Sequence, residues 1–306
     1  MATEREIIIP SGNVNLAGTL RLPDSGLPCP AVLLIPGSGQ VDRNESAAKL
    51  PINAFRDIAY HLSEQGIATL RYDKRGVGAS QGNFWETGFY DNVADAGAAL
   101  AFLKTQEGIR PEQVYLLGHS EGALIATRLA GSHVQAAGVI LLAGPAQNGE
   151  QVLVWQSARV VKGMGGFNKW LIDLFHIDVA KAQRKQLEKL KRTKKDWVRI
   201  QLVAKLNAKW FREFMAYEPA EDLAKIQTPV LAITGTKDIQ VDPADLERMA
   251  GLVRSEFEAH AVPDLTHILR AEPGEPTINT YRQQVTRPVD GRVLELISGW
   301  LKKRTA

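Results

Sequence analysis

Gly118-His119-Ser120-Glu121-Gly122 is the stretch that decides the fold of this chain of 306 residues. The apolar run before it, residues 113–117, predicts a buried strand, and residues 123–130 after it have the pattern of a helix that ends at Gly131. A Gly-x-Ser-x-Gly pentapeptide between a strand and a helix is typical of a nucleophile elbow, whereas an isolated match is more often only a glycine-rich turn. We therefore predict that Ser120 is a nucleophile, exposed at the carboxyl edge of a sheet beside the positive end of a helix.

Strands alternate with helices on both sides of the pentapeptide. Residues 5–22 predict an antiparallel hairpin that turns at Gly12-Asn13. The predicted strands are residues 31–35, 67–72, 137–143, 229–234 and 256–262, of which 31–35 and 137–143 are predicted to be buried, and the predicted helices are residues 52–65, 91–107 and 290–303. This alternation predicts an α/β fold with a mostly parallel sheet that helices cover on both faces.

The alternation stops between residues 146 and 222, where no strand pattern occurs. We predict that this segment is a helical cap inserted into an α/β core made of residues 1–145 and 223–306. Trp197, Phe211 and Met215 belong to a set of apolar residues at three- and four-residue steps, which predicts one face of a single helix. Because a cap roofs the cleft, we expect these three side chains to bind substrate, and their character favours uncharged substrates of modest size. Four of the six tryptophans lie in the predicted cap: Trp155, Trp170, Trp197 and Trp210.

Composition and charge narrow the class of protein. The chain is 44% hydrophobic and 23% charged, and a net charge of +3 is too small to indicate a nucleic-acid partner. Its single cysteine, Cys29, excludes an intrachain disulfide and fits a reducing compartment. Residues 1–6 lack an apolar signal core, and no apolar run approaches the length of a membrane span. We therefore expect a cytoplasmic protein that binds no nucleic acid and is not stably inserted into a membrane. The sequence leaves its oligomeric state open.

Residues 181–195 carry eight lysines and arginines against one glutamate. They lack the interleaved aromatic residues of a nucleic-acid site, and their apolar face is thin for a membrane helix. We interpret them as a solvated helix face, the alternative being recruitment of an anionic substrate or a membrane surface.

A serine nucleophile needs a base and an acid that orients the base. His267 stands in a loop directly after the last predicted strand, where it opens onto the same sheet edge as Ser120. Asp238 is the first acidic residue after the preceding strand and is the predicted acid. Asp242 is the alternative, but its place before Pro243 predicts a helix cap, and Asp264 is expected to shape the His267 loop. The order Ser, Asp, His along the chain is the one typical of this arrangement.

Acyl transfer also needs two N–H groups that stabilise the oxyanion. The residue after the nucleophile, Glu121, is expected to give one of them. Residues 36–44 form a glycine-containing loop after a buried strand and are expected to give the other, from either Ser38 or Gln40. No metal or nucleotide cofactor is expected, because no paired Cys or His-Glu-x-x-His pattern occurs, and Gly37-Ser38-Gly39 lacks the third glycine of a dinucleotide fingerprint.

Together these motifs resemble the α/β-hydrolase family. The resemblance includes residues 36–39, residues 73–80, the pentapeptide, the Asp238 turn and the His267 loop. It is strongest to bacterial carboxylesterases with a Gly-Ser-Gly-x-x-Asp-Arg loop, here residues 37–43, although Pro36 replaces the commoner histidine and leaves the exact oxyanion donor open. The resemblance implies a cofactor-free serine carboxylesterase that acts on a small-molecule ester through an acyl-enzyme. The alternatives are a thioesterase, a peptidase or amidase, or a ligand-binding protein without catalysis.

Charged residues flank this predicted site. Asp42, Arg43, Asp73 and Arg75 are interpreted as a salt-bridge network that locks two loops at the sheet edge, the alternative being charges that bind substrate.

Overall fold

One sheet of eight strands organises the molecule. The structure, a computed structural model, describes residues 2–24, 28–132, 134–163, 179–200 and 204–305, so that Trp170 lies outside the described residues. The strands are β1 (Thr3–Ser11), β2 (Val14–Leu22), β3 (Cys29–Ile35), β4 (Ala68–Tyr72), β5 (Ile109–His119), β6 (Val139–Leu142), β7 (Trp197–Ile200), β8 (Ala204–Asn207), β9 (Val230–Gly235) and β10 (Phe257–Val262). The order in the large sheet is β1-β2-β4-β3-β5-β6-β9-β10. β2 pairs antiparallel with β1 and β4, and all other neighbours are parallel, which confirms the predicted mostly parallel sheet.

Helices cover both faces of this sheet, as predicted. The described helices are α1 (Ala54–Glu64), α2 (Phe89–Lys104), α3 (Glu121–Gly131), α4 (Gly149–Gly163), α5 (Val179–Arg192), α6 (Ala208–Ala216), α7 (Pro219–Leu223), α8 (Asp245–Leu252), α9 (Tyr281–Gln284) and α10 (Gly291–Thr305). Alternate residues of β3 point to opposite faces. Leu33 belongs to the apolar cluster with α2 and α3, and Leu34 belongs to the cluster with α1 and α10. Within the described ranges, no helix has the length and apolarity needed to cross a membrane.

The pentapeptide forms the turn between β5 and α3. Ser120 has a φ of 56° and a ψ of −118°, a backbone conformation with positive φ that residues other than glycine rarely adopt. A Cβ atom on Gly122 would lie 1.9 Å from the carbonyl oxygen of Ile35, and one on Gly118 would lie 2.0 Å from the carbonyl oxygen of Gly122. The two flanking glycines therefore allow α3 to start in direct contact with the ends of β3 and β5.

The insertion is not entirely helical, which corrects the sequence prediction. Residues 197–215 do not form one helix, because β7 and β8 pair as an antiparallel hairpin before α6 begins. The hairpin sets Val198 opposite Leu206, so the apolar spacing that suggested a helix is divided between two strands and a helix. The boundaries at residues 146 and 222 stay a prediction.

The basic segment of the insertion lies on α5. Its lysines and arginines from Lys181 to Arg192 are exposed, while Leu187 and Leu190 are buried against α6. Lys191 Nζ lies 2.7 Å from a carboxylate oxygen of Glu150 on α4. This arrangement confirms the solvated helix face.

The contact at Gly122 gives a test of the elbow. We expect Gly122→Ala to lower the free energy of unfolding by more than about 3 kcal/mol, because the added methyl group meets backbone that cannot move aside. Urea denaturation followed by circular dichroism measures the change. The control is Gly299→Ala within α10, where an added Cβ meets nothing within 4 Å. That variant should be as stable as the parent or up to about 1 kcal/mol more stable, and equal losses in both variants would contradict the close approach.

Candidate active site

Asp238 and His267 lie together as the sequence predicts. Asp238 follows β9 and His267 follows β10, and Asp238 Oδ2 accepts a hydrogen bond of 2.8 Å from His267 Nδ1. The other oxygen of Asp238 accepts the N–H groups of Gln240 at 2.7 Å and Val241 at 2.9 Å. Because Asp238 accepts from Nδ1, the second ring nitrogen of His267 is left to act as a base.

The two alternative carboxylates have other partners. Asp242 accepts the N–H of Ala244 at 3.1 Å just before α8, and it pairs with Arg248 at 3.0 Å. Asp264 adopts a φ of 59° in the turn after β10 and pairs with Lys237 at 2.8 Å. The contacts of Asp264 match its predicted loop-shaping role. Asp242 is not the helix cap that the sequence predicts, because the residue at the N-cap of α8 is Ala244, and Asp242 instead closes the turn before it.

His119 joins the His267 loop to the elbow. It is the last residue of β5, and its Nε2 donates a hydrogen bond of 2.8 Å to the carbonyl oxygen of His267. The rings of the two histidines lie 4.9 Å apart. Among the contacts of the described residues none joins Ser120 Oγ to His267, so the structure brings Ser120 and the histidine loop to one place without showing their hydrogen bond. In unliganded enzymes this contact is often long.

A buried ion pair fixes the start of the predicted oxyanion loop. His119 Nδ1 donates to Glu45 at 2.8 Å, and Glu45 also accepts the N–H of Gly37 through both carboxylate oxygens, at 2.9 and 3.1 Å. Both ring nitrogens of His119 therefore face acceptors, which requires the doubly protonated imidazolium. Burial alone lowers the pKa of His119, but the hydrogen bond and charge of Glu45 outweigh it and raise that pKa above its usual value.

A second buried ion pair holds the other side of Gly37. Lys74 Nζ donates to the carbonyl oxygen of Gly37 and to a carboxylate oxygen of Glu121, both at 2.9 Å. The other oxygen of Glu121 accepts from Asn92 at 3.1 Å and from Trp210 Nε1 at 2.6 Å. The residue predicted to give an oxyanion N–H thus has a fully paired side chain, bonded to both core and insertion.

Two of the predicted oxyanion donors lie close to Ser120, because Glu121 follows it in the chain and Ser38 lines a cavity with it. Glu121 begins α3, where the first N–H groups of a helix have no partner within it. Ser38 and Gln40 are exposed, on either side of Gly39, whose φ of 87° suits glycine. Neither the N–H of Ser38 nor that of Gln40 donates to another described residue, so both are available to an oxyanion.

Two adjoining cavities lie above this point. The smaller, of about 50 Å³, contains Ser120, Ser38 and Glu121. The larger, of about 390 Å³, contains Ser38, Gln40 and Lys74. Its aromatic lining comes from core and insertion and comprises Phe84, Trp85, Trp210 and Phe211.

Of the three predicted substrate-binding residues, Phe211 alone lines one of these cavities. Met215 is buried with Leu187 and Ala208 in the apolar cluster of the insertion. Trp197 lines a separate surface groove and packs beneath the Lys205 ammonium, which lies 4.1 Å from its ring centre. Trp197 lies on the β7–β8 hairpin and not on the predicted helix, and Met215 lies on the side of α6 that packs against α5, so neither of them lines these cavities.

Comparison with known proteins identifies the family. The family described as serine aminopeptidase, S33, matches residues 51–274. The chain belongs to this family of α/β-hydrolases. Esterase EstD of Thermotoga maritima is 32% identical to this chain over 292 residues, which cover 94% of this chain. The same alignment covers 66% of EstD, so the chain spans about two thirds of the length of this relative.

Solved structures share the fold of this S33 family member at low sequence identity. Est1E from Butyrivibrio proteoclasticus, with ferulic acid bound, has a TM-score of 0.63 at 18% identity and covers 97% of this chain and 96% of its own. A proline iminopeptidase from Mycobacterium smegmatis has a TM-score of 0.65 at 13% identity and covers 98% of this chain and 99% of its own. Both likenesses support the α/β-hydrolase fold.

The sequence did not predict a role at the candidate site for four charged or polar residues: Glu45, Lys74, Asn92 and His119. Charged side chains in loops are normally exposed, and nothing local to Lys74 or Glu45 signals that its partner lies across the sheet. His119 carries the one usable signal, since it occupies the last position of a buried strand and must find polar partners there.

Two of the four loop charges near the candidate site form the interpreted salt bridge between loops. Arg43 pairs with Asp73 at 2.8 Å and links the two loops. Burial raises the pKa of Asp73, but hydrogen bonds from Arg43 outweigh it and lower that pKa overall. Arg75 instead pairs with Asp95 at 2.6 Å, and Asp42 accepts N–H groups of its own loop. The network interpretation is therefore confirmed for Arg43 and Asp73 alone.

Glu45→Gln tests the buried imidazolium. A histidine whose pKa is raised on folding stabilises the protein fully below its unfolded pKa of about 6.5, and that contribution is lost as the pH rises through the folded pKa. We expect the variant to be less stable than the parent by about 1–3 kcal/mol at pH 6, with a smaller difference at pH 9. Urea unfolding at both pH values measures it.

The matched control is Glu258→Gln, which removes the carboxylate 2.8 Å from His260 in a half-exposed pair. That change should cost less than about 0.5 kcal/mol. A Glu45→Gln loss that stays constant from pH 6 to pH 9 would argue against a charged His119.

Proposed function

We propose that this protein is a serine carboxylesterase that hydrolyses small to medium uncharged carboxylic esters through an acyl-enzyme. The observation that carries the proposal is the 2.8 Å hydrogen bond between Asp238 and His267, in a loop that His119 fastens to the elbow of Ser120. This pairing orients a base toward the half-buried Ser120, which is the requirement for serine nucleophilic catalysis.

The mechanism follows from the roles of these groups. His267 accepts the Ser120 proton through Nε2 while Ser120 Oγ bonds to the ester carbonyl carbon, and Asp238 stabilises the imidazolium that forms. His267 then gives that proton to the leaving alcohol as its C–O bond breaks. A water molecule then gives one proton to the same imidazole as its oxygen attacks the acyl-enzyme. His267 passes that proton to Ser120 Oγ as the bond to the acyl carbon breaks, and the acid leaves with the second proton of the water.

The oxyanion is assigned to the N–H groups of Glu121 and Ser38. Ser38 is preferred over Gln40 because it lines the smaller cavity together with Ser120, whereas Gln40 lines only the larger one. Gly37 supports this assignment, since buried ion pairs hold both its N–H and its carbonyl group and so fix the peptide that leads into Ser38.

An ester is favoured over an aminopeptidase substrate by the charges of the cleft. An aminopeptidase must hold the ammonium group of its substrate, which calls for an available carboxylate. Among the described residues that line the two cavities, Glu121 alone is acidic, and Lys74, Asn92 and Trp210 already occupy its oxygens. Thioesters would react by the same steps, so they remain the nearest alternative substrates.

Replacing the triad acid tests the mechanism. We expect Asp238→Asn to lower kcat for ester hydrolysis by about ten-thousandfold, because an amide favours the wrong tautomer of His267. Asp242→Asn is the matched control in the same loop and should keep kcat within about threefold. Equal activity in the two variants would show that Asp238 is not the triad acid.

A second test addresses the nucleophile and the bond cleaved. We expect the parent protein to hydrolyse ethyl and p-nitrophenyl esters, and Ser120→Ala to lose both this turnover and labelling by a fluorophosphonate. Aminoacyl p-nitroanilides should react with the parent protein at least about a hundredfold more slowly than the esters. His267→Ala should be inactive while His260→Ala, on β10, keeps the parent rate. Absence of labelling and of turnover in the parent protein would overturn the proposal, and faster anilide cleavage would favour a peptidase.

A further inference from the structure

The two cavities of the cleft share one wall. Ser38, Leu153 and Trp210 line both of them. Ser38 comes from the oxyanion loop, whereas Leu153 lies on α4 and Trp210 on α6 of the insertion. The two insertion residues therefore separate a space of about 50 Å³ at Ser120 from a space of about 390 Å³ beside it.

Trp210 is held firmly in this wall. Its Nε1 donates a hydrogen bond of 2.6 Å to Glu121, and its ring stacks on Phe214 with 4.6 Å between centroids. Its main-chain N–H donates to the side chain of Asn207 at 2.9 Å, and Asn207 in turn donates to the carbonyl oxygen of Thr87 in the core at 2.6 Å. A side chain fixed at several points keeps one rotamer and forms a rigid wall.

The chemistry assigns each half of the substrate to one cavity. The leaving alcohol must reach His267, which Asp238 orients. Gln240 and Val241, from the loop that contains Asp238, line the smaller cavity, and no residue of that loop lines the larger one among the described residues. The smaller cavity is thus on the leaving-group side, and the larger cavity, beyond the oxyanion loop, is on the acyl side.

We propose that Trp210 determines specificity by closing the leaving-group side, so that this protein prefers esters of short alcohols with a large apolar acyl group. The inference rests on the proposed esterase function and adds the substrate class. The acyl cavity suits an aromatic or long aliphatic group, since four aromatic side chains line it. The leaving-group cavity has room for an alcohol of about the size of methanol or ethanol.

Two ester series test the proposal, with acid release followed by pH-stat titration. In the first, ethyl esters run from acetate to 3-phenylpropanoate, and kcat/KM should rise with the size of the acyl group. In the second, 3-phenylpropanoate esters run from ethanol to hexanol, and kcat/KM should fall by at least about tenfold. A parent protein that hydrolyses esters but accepts both alcohols equally would overturn this inference and leave the esterase function standing.

Variants of the wall locate the cause. Trp210→Ala should raise the hexyl-to-ethyl ratio of kcat/KM by at least about tenfold, because it joins the two cavities. Trp210→Phe is the matched variant: it keeps a ring but loses the hydrogen bond to Glu121, so it should lower kcat and leave the ratio near that of the parent.

Leu153→Ala, at the other insertion residue of the wall, should move the ratio in the same direction if Trp210→Ala does not fold. Circular dichroism and the rate of fluorophosphonate labelling establish that each variant is folded. An unchanged ratio in folded Trp210→Ala or Leu153→Ala would overturn the partition. If the parent protein showed neither labelling nor ester turnover, that result would instead overturn the proposed esterase function itself.

Discussion

The close approach of α3 to the ends of β3 and β5 is the constraint on which the site depends. Only glycine fits at Gly118 and Gly122, because any Cβ there would overlap backbone. β3 and β5 are parallel neighbours, so their carboxyl ends lie side by side, and the loop that leaves β3 must pass the serine that follows β5. The strand order thus brings the predicted oxyanion loop to the predicted nucleophile without any further element.

Two buried ion pairs then convert this proximity into fixed geometry. Glu45 with His119 holds the N–H of Gly37, and Lys74 with Glu121 holds its carbonyl group. Buried ion pairs add little net stability, since desolvation offsets most of their attraction. We interpret their role as preorganisation of the donor loop, in which dipoles are aimed before charge develops on the substrate.

The sequence was sufficient to predict the residues whose position is set by a strand end. Ser120, Asp238 and His267 each follow a strand of the parallel sheet, and the structure places all three at one edge. Trp197 could not be placed, because pairing between β7 and β8 overrode a helical spacing over few residues. Met215 is helical as predicted, but the sequence could not show that its side chain packs within the insertion and not against the cleft. The burial of Lys74 could not be predicted from the sequence either, because it depends on an ion pair with Glu121, which lies on a different element.

The bond from His119 to the carbonyl oxygen of His267 separates the position of the proposed base from its orientation. The loop is positioned through its backbone by the elbow, and the imidazole is oriented through its side chain by Asp238. Removal of the Asp238 carboxylate would therefore leave a correctly placed histidine beside an empty space of carboxylate size. Such a space is suited to chemical rescue by formate or acetate, so an added small molecule would adjust the reactivity of the proposed base.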